Sequence, residues 1–488
     1  MPSDVARRPG TALGVPLLPD RIIAPGQTYD TIGREIAGIA FGHPARKLWW
    51  LAFAGSLGLV GLLLVCLGAL FWVGPGIWGN NIPVTWALDI VSYDWWIGIA
   101  SGGLIVSAML LLLGAEWRGA LNRITETMAV IAAAAAGLYP IIHLGRPWFF
   151  YWNLPYPNTF LLWPQFRSPL YWDAVDIISF LGIGVAFWYI GMLPDLATLR
   201  DRAFERAQAE GGAYPTRWQL FRPQIYGIAA LGWRGSAVHW QRWAQAYRTI
   251  GLLGVLLVVS LQTGAAVMFA GTVEPGWHDT LLPVAFVFAA LFAGVGMIAV
   301  LAVVLRGVFG LQRLVTERHL ELVAMLLLGL GIANLYCYAA EFLTTALAGT
   351  GYDRAVLLRR FGGPHAWSLW FIVGCALIPV HLFWVRSLRQ SPTMLALVGL
   401  LVAAGMYADH FMVIVVTLQH DFLPSSAHLY AMNFWGLATF AGTAGLFLAL
   451  LLLALRYLPV VSILETRRLT SLKAPAMVTA IAEGARRG

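Results

Sequence analysis

Residues 47–74 read KLWWLAFAGSLGLVGLLLVCLGALFWVG and carry no charged side chain after Lys47. An α-helix rises about 1.5 Å per residue, so about 20 apolar residues cross a hydrocarbon core of about 30 Å. This stretch is long enough and apolar enough to do so. It predicts a transmembrane helix.

Nine further stretches are also long enough and apolar enough to cross a membrane. They are residues 93–115, 124–142, 171–194, 248–270, 280–306, 320–348, 366–386, 393–418 and 428–456. Only 11% of the 488 residues are charged, whereas a soluble domain carries about 25%. The predicted fold class is therefore an all-α integral membrane protein with about ten transmembrane helices. Residues 1–46 are polar and predict a retained tail rather than a signal peptide, with a short surface helix over 29–41.

The basic residues are divided unequally between the two sides of this span map. Of the 32 Lys and Arg residues, 27 fall on the side of the two tails and 5 on the other. Positive charge is enriched in cytoplasmic loops, so both termini are predicted to be cytoplasmic. The net charge of +8 is confined to short loops beside the spans, which argues against a nucleic-acid partner.

The three cysteines lie far apart within apolar stretches, at Cys66, Cys337 and Cys375. The sequence has no CxxC pair, no clustered Cys/His set and no CxxCH motif, so no iron–sulfur cluster, structural zinc or covalent haem is predicted in this chain. No single span carries two histidines about 14 residues apart, as a diheme cytochrome b would. The metal centres of any redox reaction are expected to belong to partner subunits.

Polar residues gather where span three ends and span four begins. Tyr139 and His143 are four apart and share a helix face, as do Asp173 and Asp176 at a spacing of three. The two helix ends are antiparallel neighbours, so His143 and Asp173 are expected at the same depth. Arg146 follows span three directly.

This combination suits the oxidation of a quinol, which loses two protons with its two electrons. A histidine and a carboxylate can each accept one of those protons, and Tyr139, Trp148 and Trp172 can line an aromatic slot for the ring. A second reading stays open: His143 and Arg146 are interfacial anchors, and Asp173 caps span four.

A second polar set lies deeper in the C-terminal half of the chain. Charged and titratable groups within spans are costly and commonly mark proton paths. We expect such a path to use Glu341, His381, Asp409 and His410. The alternative is that each of them satisfies a buried partner and holds helices together. Asp89 and Asp94, near the start of span two, could serve the first site or its solvent exit.

Three segments carry a family resemblance: LYPIIHLGRPWFFYW at 138–152, SPLYWDAVDIISF at 168–180, and GWRGS at 232–236 followed by Trp240. With the ten-span layout, they resemble the NrfD/polysulfide-reductase membrane subunits. Within that family they are similar to the quinol-oxidising membrane subunit of bacterial alternative complex III. The resemblance runs from about residue 30 to 465.

The resemblance implies two four-helix bundles, spans two to five (93–270) and six to nine (271–418). Residues 1–46 would be the tail, 47–92 the first span with its outer loop, and 419–488 the last span with the second tail. It implies a menaquinone or ubiquinone site at the outer end of the first bundle, formed by His143, Asp173 and also Tyr139, Arg146 and Asp176.

The resemblance also implies partners in the bacterial inner membrane. These are an extracytoplasmic iron–sulfur subunit, c-type cytochrome subunits and a second NrfD-like membrane subunit. Two other functions stay open at this point: a proton-coupled transporter, and a structural anchor that binds no quinone.

Overall fold

The computed structural model describes residues 22–42, 45–153, 169–212 and 215–471. Within these ranges the chain is helical and contains no strand. Ten of its helical segments are long and apolar enough to span a membrane, which confirms the predicted fold class. The helices are α1 (Tyr29–Gly42), α2 (Arg46–Val73), α3 (Leu88–Leu112), α4 (Asn122–His143), α5 (Pro169–Gly211), α6 (Arg217–Ala229), α7 (Ala237–Ala270), α8 (Leu282–Val308), α9 (Glu317–Ala348), α10 (Gly351–Gly362), α11 (Trp367–Ile372), α12 (Arg386–Arg389), α13 (Pro392–Phe411), α14 (Phe434–Tyr457) and α15 (Ile463–Ser471).

The spans run alternately between two faces. We call the face where α3 begins and α4 ends the upper face, and the opposite one the lower face. The aromatic loop after α4 belongs to the upper face, but residues 154–168 of it lie outside the described ranges. The predicted short helix over 29–41 is present as α1, which packs against α15 on the lower side.

The segment between the predicted spans 171–194 and 248–270 is mostly helical. Helix α5 continues to Gly211, because its polar extension alternates acids and bases that pair along one face, as Arg206 does with Glu210 at 2.8 Å. A capping box of Thr216 and Gln219 then starts α6, and the Ser236 hydroxyl caps α7.

Helix α3 lies in the middle of the molecule and packs against α4, α7, α8 and α13. It meets α8 at two glycines: a Cβ on Gly102 would lie 2.8 Å from the Cα of Gly294. Helix α8 meets α13 in the same way, because a Cβ on Gly296 would lie 2.8 Å from the carbonyl oxygen of Gly399. Small residues allow such close helix crossings in membranes.

The first and last spans, α2 and α14, pack side by side. The Trp49 indole nitrogen donates to the Leu452 carbonyl at 2.9 Å, and the Arg456 guanidinium lies 4.3 Å from the Trp49 ring centre. A Cβ on Gly442 would lie 2.6 Å from the Leu63 Cβ. Helix α14 also contacts α3 and α4, so it joins α2 to the rest of the fold.

Two spans are irregular. After α11 the chain makes a π turn at Val373–Leu377 and a 3₁₀ segment at Pro379–Trp384, where Pro379 lacks the N–H that a continuing α-helix needs. Helix α13 passes directly into a second π turn, Met412–Val416. Such turns are often found at functional sites, and this one follows His410 almost immediately.

A buried ionic cluster joins α4, α5, α7, α15 and the 3₁₀ segment Glu116–Ala120 near the lower face. Arg123 donates to Asp195 at 2.9 Å and to Glu126 at 2.7 Å, and Tyr247 also donates to Glu126 at 2.7 Å. Arg118 also belongs to this cluster and pairs with Glu465. We call these residues the lower ionic cluster: Arg118, Arg123, Glu126, Asp195, Tyr247 and Glu465.

Candidate functional site

His143 occupies the last position of α4 at the upper face, and its partner is Asp89 in the first turn of α3. The His143 Nδ1 and an Asp89 carboxyl oxygen are in hydrogen-bond contact. The Asp89 side chain is fully buried, whereas that of His143 is 28% exposed. The pair thus has a protected carboxylate behind an imidazole that remains accessible. Sequence reasoning placed Asp89 near the site but did not pair it with His143.

Asp173 lies near the start of α5 and is partly buried. It accepts a hydrogen bond of 3.1 Å from the Tyr93 hydroxyl, one turn below Asp89 on α3. No hydrogen bond joins His143 to Asp173 among the described side chains. Each of the two residues is therefore held by α3, through a different partner.

The other candidate residues of the first site surround these pairs. Tyr139 is fully buried, and its hydroxyl bonds the Thr443 hydroxyl of α14 at 2.8 Å, so it links helices beneath His143. A carboxyl oxygen of Asp176 lies 3.1 Å from where a Cβ on Gly264 of α7 would be. Asp176 therefore faces α7 one turn below Asp173.

Arg146, Trp148 and Trp172 lie at the exposed rim. Trp148 is 59% and Trp172 50% exposed, and the Trp148 ring packs edge-on against Phe71 of α2. Arg146 follows Gly145, which has a φ of 67° and packs so closely on Pro75 that a Cβ there would lie 2.6 Å from the proline Cδ. Only glycine combines that backbone conformation with so little space.

In the second polar set, the structure brings Asp409 and Glu341 to one cavity. The Tyr338 hydroxyl donates to Asp409, and Glu341 pairs with Arg360 of α10 at 2.5 Å. Tyr338, Glu341 and Asp409 line a cavity of ≈ 30 Å³ that also reaches Asp279. That volume is enough for about two water molecules.

The other two members of this set have different surroundings. His410 follows Asp409 on α13 and is buried, with no partner for either ring nitrogen among the described residues. His381 lies near the lower face in the 3₁₀ segment, where its Nδ1 accepts from the Trp384 indole at 3.1 Å. It shows no contact with the Glu341 and Asp409 group in the described structure.

One acid outside the spans has a displaced ionisation. Burial raises the pKa of Glu274 to about 7, and the nearby Asp421 carboxylate adds to the rise. Glu274 lies in the upper loop between α7 and α8, two residues before Gly276, whose carbonyl accepts from Arg360. It can therefore exchange protons near neutral pH at the upper end of the second polar set.

Together these groups place several proton acceptors within two helical turns of the upper face. No group of three or more His, Cys, Asp or Glu residues within the described ranges is arranged to hold a metal ion. The chemistry that these side chains themselves can supply is proton transfer to and from a molecule at the upper end of α3, α4 and α5.

The comparisons with known proteins agree with the three sequence segments. The C subunit of the selenate reductase of Mesobacillus selenatarsenatis is 23% identical over 399 residues, which cover 77% of this chain and 86% of that protein. A putative membrane component of a dimethyl sulfoxide reductase of Halobacterium salinarum, also designated C, is 23% identical over 289 residues, 56% of this chain and 55% of that protein. Residues 76–420 match the family described as polysulphide reductase, NrfD, and cover more than half of the sequence. The chain therefore belongs to the NrfD polysulphide reductase family.

Proposed function

We propose that this chain is the quinol-oxidising membrane subunit of an oxidoreductase complex, with its site at the upper end of α3, α4 and α5. The observation that carries the proposal is the pair of contacts made by α3, Asp89 with His143 and Tyr93 with Asp173. They supply two separate proton acceptors within one turn of each other along α3.

In this proposal, quinol gives two electrons to an iron–sulfur subunit docked on the upper face and two protons to the chain. His143 accepts from one quinol hydroxyl, and Asp89 stabilises the imidazolium that results. Asp173 accepts the second proton, while Tyr139, Arg146, Trp148, Trp172 and Asp176 form the surroundings of the ring. The quinone, menaquinone or ubiquinone, enters from the lipid.

The names of the relatives support this direction of electron flow. Two of them are named as subunits of reductases, and a reductase needs an electron donor. A membrane subunit that oxidises quinol would supply it. We propose a complex of the alternative complex III type, with c-type cytochrome subunits and a second NrfD-like subunit, in a bacterial inner membrane with the lower face cytoplasmic.

Proton translocation is part of the proposal for the second polar set. Glu341, Asp409 and His410 lie on or beside one cavity whose volume suits water. His381 lies nearer the lower face and, within the described ranges, does not contact the Glu341 and Asp409 group directly. In this proposal, other groups between them carry the proton.

The decisive test is Asp173→Asn in the assembled complex. A general base contributes about 10²- to 10⁴-fold to rate, so quinol-dependent turnover should fall by that order. Asp201→Asn is the matched control, because it makes the same exchange on the same helix at an exposed position paired with Arg200.

In Asp173→Asn, the metal centres of the partner subunits should stay intact and remain reducible by a small artificial donor. Bound quinone in the purified complex should be close to stoichiometric in the wild type. Turnover of Asp173→Asn near the wild-type rate would mean that the site is elsewhere.

A further inference from the structure

Three buried polar atoms between the two halves of the fold have no hydrogen-bond partner among the described residues. They are the Oδ2 of Asp94 on α3 and both ring nitrogens of His410 on α13. Asp94 is 3% exposed and His410 is 4% exposed. An unsatisfied buried polar group is destabilising, and in a native structure it calls for an explanation such as water, an ion or a chemical role.

Asp94 and His410 lie near one face of α3. Asp94 and Gly98 are four residues apart on α3 and therefore on one face, about one turn from each other. His410 reaches that face, because a Cβ on Gly98 would lie 3.8 Å from the His410 Nε2. Since Gly98 has no side chain, nothing from that position stands between the imidazole and α3.

Asp94 also connects with the first site. The preceding residue, Tyr93, donates to Asp173 at 3.1 Å, so Asp94 is adjacent in sequence to the α3 residue that holds Asp173. Helix α3 is fixed to α13 next to Asp94, by the Ser92 and Tyr407 hydroxyls at 3.0 Å. Asp94 thus lies beside the part of α3 that holds Asp173 at the proposed quinol site.

His410, which reaches the same face of α3 at Gly98, belongs to the second polar set. Asp409 directly precedes His410 on α13. Asp409 accepts from Tyr338 and lines the ≈ 30 Å³ cavity with Glu341. Asp94 and His410 are therefore buried groups on neighbouring helices, unpartnered among the described residues, one next to a residue of each polar set.

We propose that Asp94 and His410 form a proton-conducting connection from the quinol site to the Asp409 cavity. The inference rests on the proposed function, because it takes its proton from quinol oxidation. Quinol loses two electrons to the iron–sulfur partner and two protons to the chain. The proton accepted by Asp173 passes to Asp94, then by His410 to Asp409 and the cavity, and Asp173 is again ready to accept.

The test compares variants that keep shape but change proton transfer. Asp94→Asn removes the titratable group, and Asp94→Glu keeps it. His410→Phe is the sharpest variant, because the imidazole forms no hydrogen bond with the described protein and packs near Phe286, at 6.1 Å between ring centres. A histidine that only fills space should tolerate this change.

In the purified complex, Asp94→Asn and His410→Phe should each slow quinol-dependent turnover on the order of tenfold or more, as loss of a proton-transfer group does. The effect of D₂O on the rate should rise above that of the wild type, because proton transfer becomes the slow step. Asp94→Glu should recover most of the rate, and bound quinone should be unchanged in all three variants.

The outcomes separate this connection from the proposed function. If Asp173→Asn loses turnover while His410→Phe and Asp94→Asn keep wild-type rates and D₂O effects, the connection is wrong and the quinol site stands. If Asp94→Asn does not assemble, a wild-type rate in His410→Phe alone overturns the connection. If Asp173→Asn is fully active, the proposed function fails first.

Discussion

At the scale of single residues, Arg123 is a charged side chain that is stabilised in the buried interior by its partners. Its side chain is 1% exposed, and its nitrogens donate to Asp195, Glu126 and the Gly191 carbonyl. Removing one member of a buried ion pair typically costs about 3–5 kcal/mol, the range we expect here, because the remaining charges lose their compensation. The lower ionic cluster therefore holds α4, α5 and α15 together only as a complete set.

Arg123→Ala should lower the free energy of unfolding by about 3–5 kcal/mol, since Asp195 stays buried without its cation and, among the described residues, Glu126 keeps only the cation of Arg118, at 3.5 Å. Arg206→Ala is the control: it removes an exposed pair with Glu210, of a kind that contributes about 0.3–0.5 kcal/mol. Unfolding of the detergent-solubilised protein measures both. Equal losses in the two variants would show that the cluster does not stabilise the fold.

The residues of the proposed site could be named from the sequence, but their pairing could not. Tyr139, His143, Asp173 and Asp176 were predicted from helix spacing, which fixes neighbours within one helix. The partners Asp89 and Tyr93 come from α3, which is apolar on nearly all sides and buried along most of its length. A helix without a polar face gives no sequence signal for its rotation, so the polar residues of α3 could not be oriented.

At the scale of elements, the two glycine crossings decide where α8 lies between α3 and α13. The predicted spans had the right number and order, because long apolar stretches are strong signals. The continuation of α5 to Gly211 was missed, because charged residues beyond a membrane span also suit a loop. Only the pairing of acids and bases four apart, such as Arg206 and Glu210, indicated a helix there.

Gly294→Leu should separate α3 from α8, because even its Cβ would lie 2.6 Å from the Gly102 Cα. Overpacking of this kind costs about 1–3 kcal/mol or more, so melting temperature and yield should fall. Quinol turnover should fall with them, since α3 carries Tyr93 and Asp89. Gly307→Leu on the same helix is the control, because nothing lies within 4 Å of its Cβ position. Matching melting curves for the two variants would contradict the importance of this crossing.

At the scale of the whole molecule, the split of 27 basic residues against 5 predicts that the lower face is cytoplasmic. A reporter fused after Gly488, or placed in residues 195–247, should then read cytoplasmic. A reporter near Gly351 should read extracytoplasmic, because α10 follows the upper end of α9. Reversed readings at any two of these positions would overturn the orientation and move the quinol site to the other compartment.

The pairing of α2 with α14 has a consequence for how the protein is made. Trp49 and Leu452, which are joined by a hydrogen bond, are 403 positions apart. A ribosome adding about 5–20 residues per second needs on the order of 20–80 s to synthesise that interval. During this time α2 is already in the bilayer without its main partner, which its apolar surface permits. Chains released before residue 434 would leave α2 alone in lipid, so the fold closes only after α14 has been synthesised.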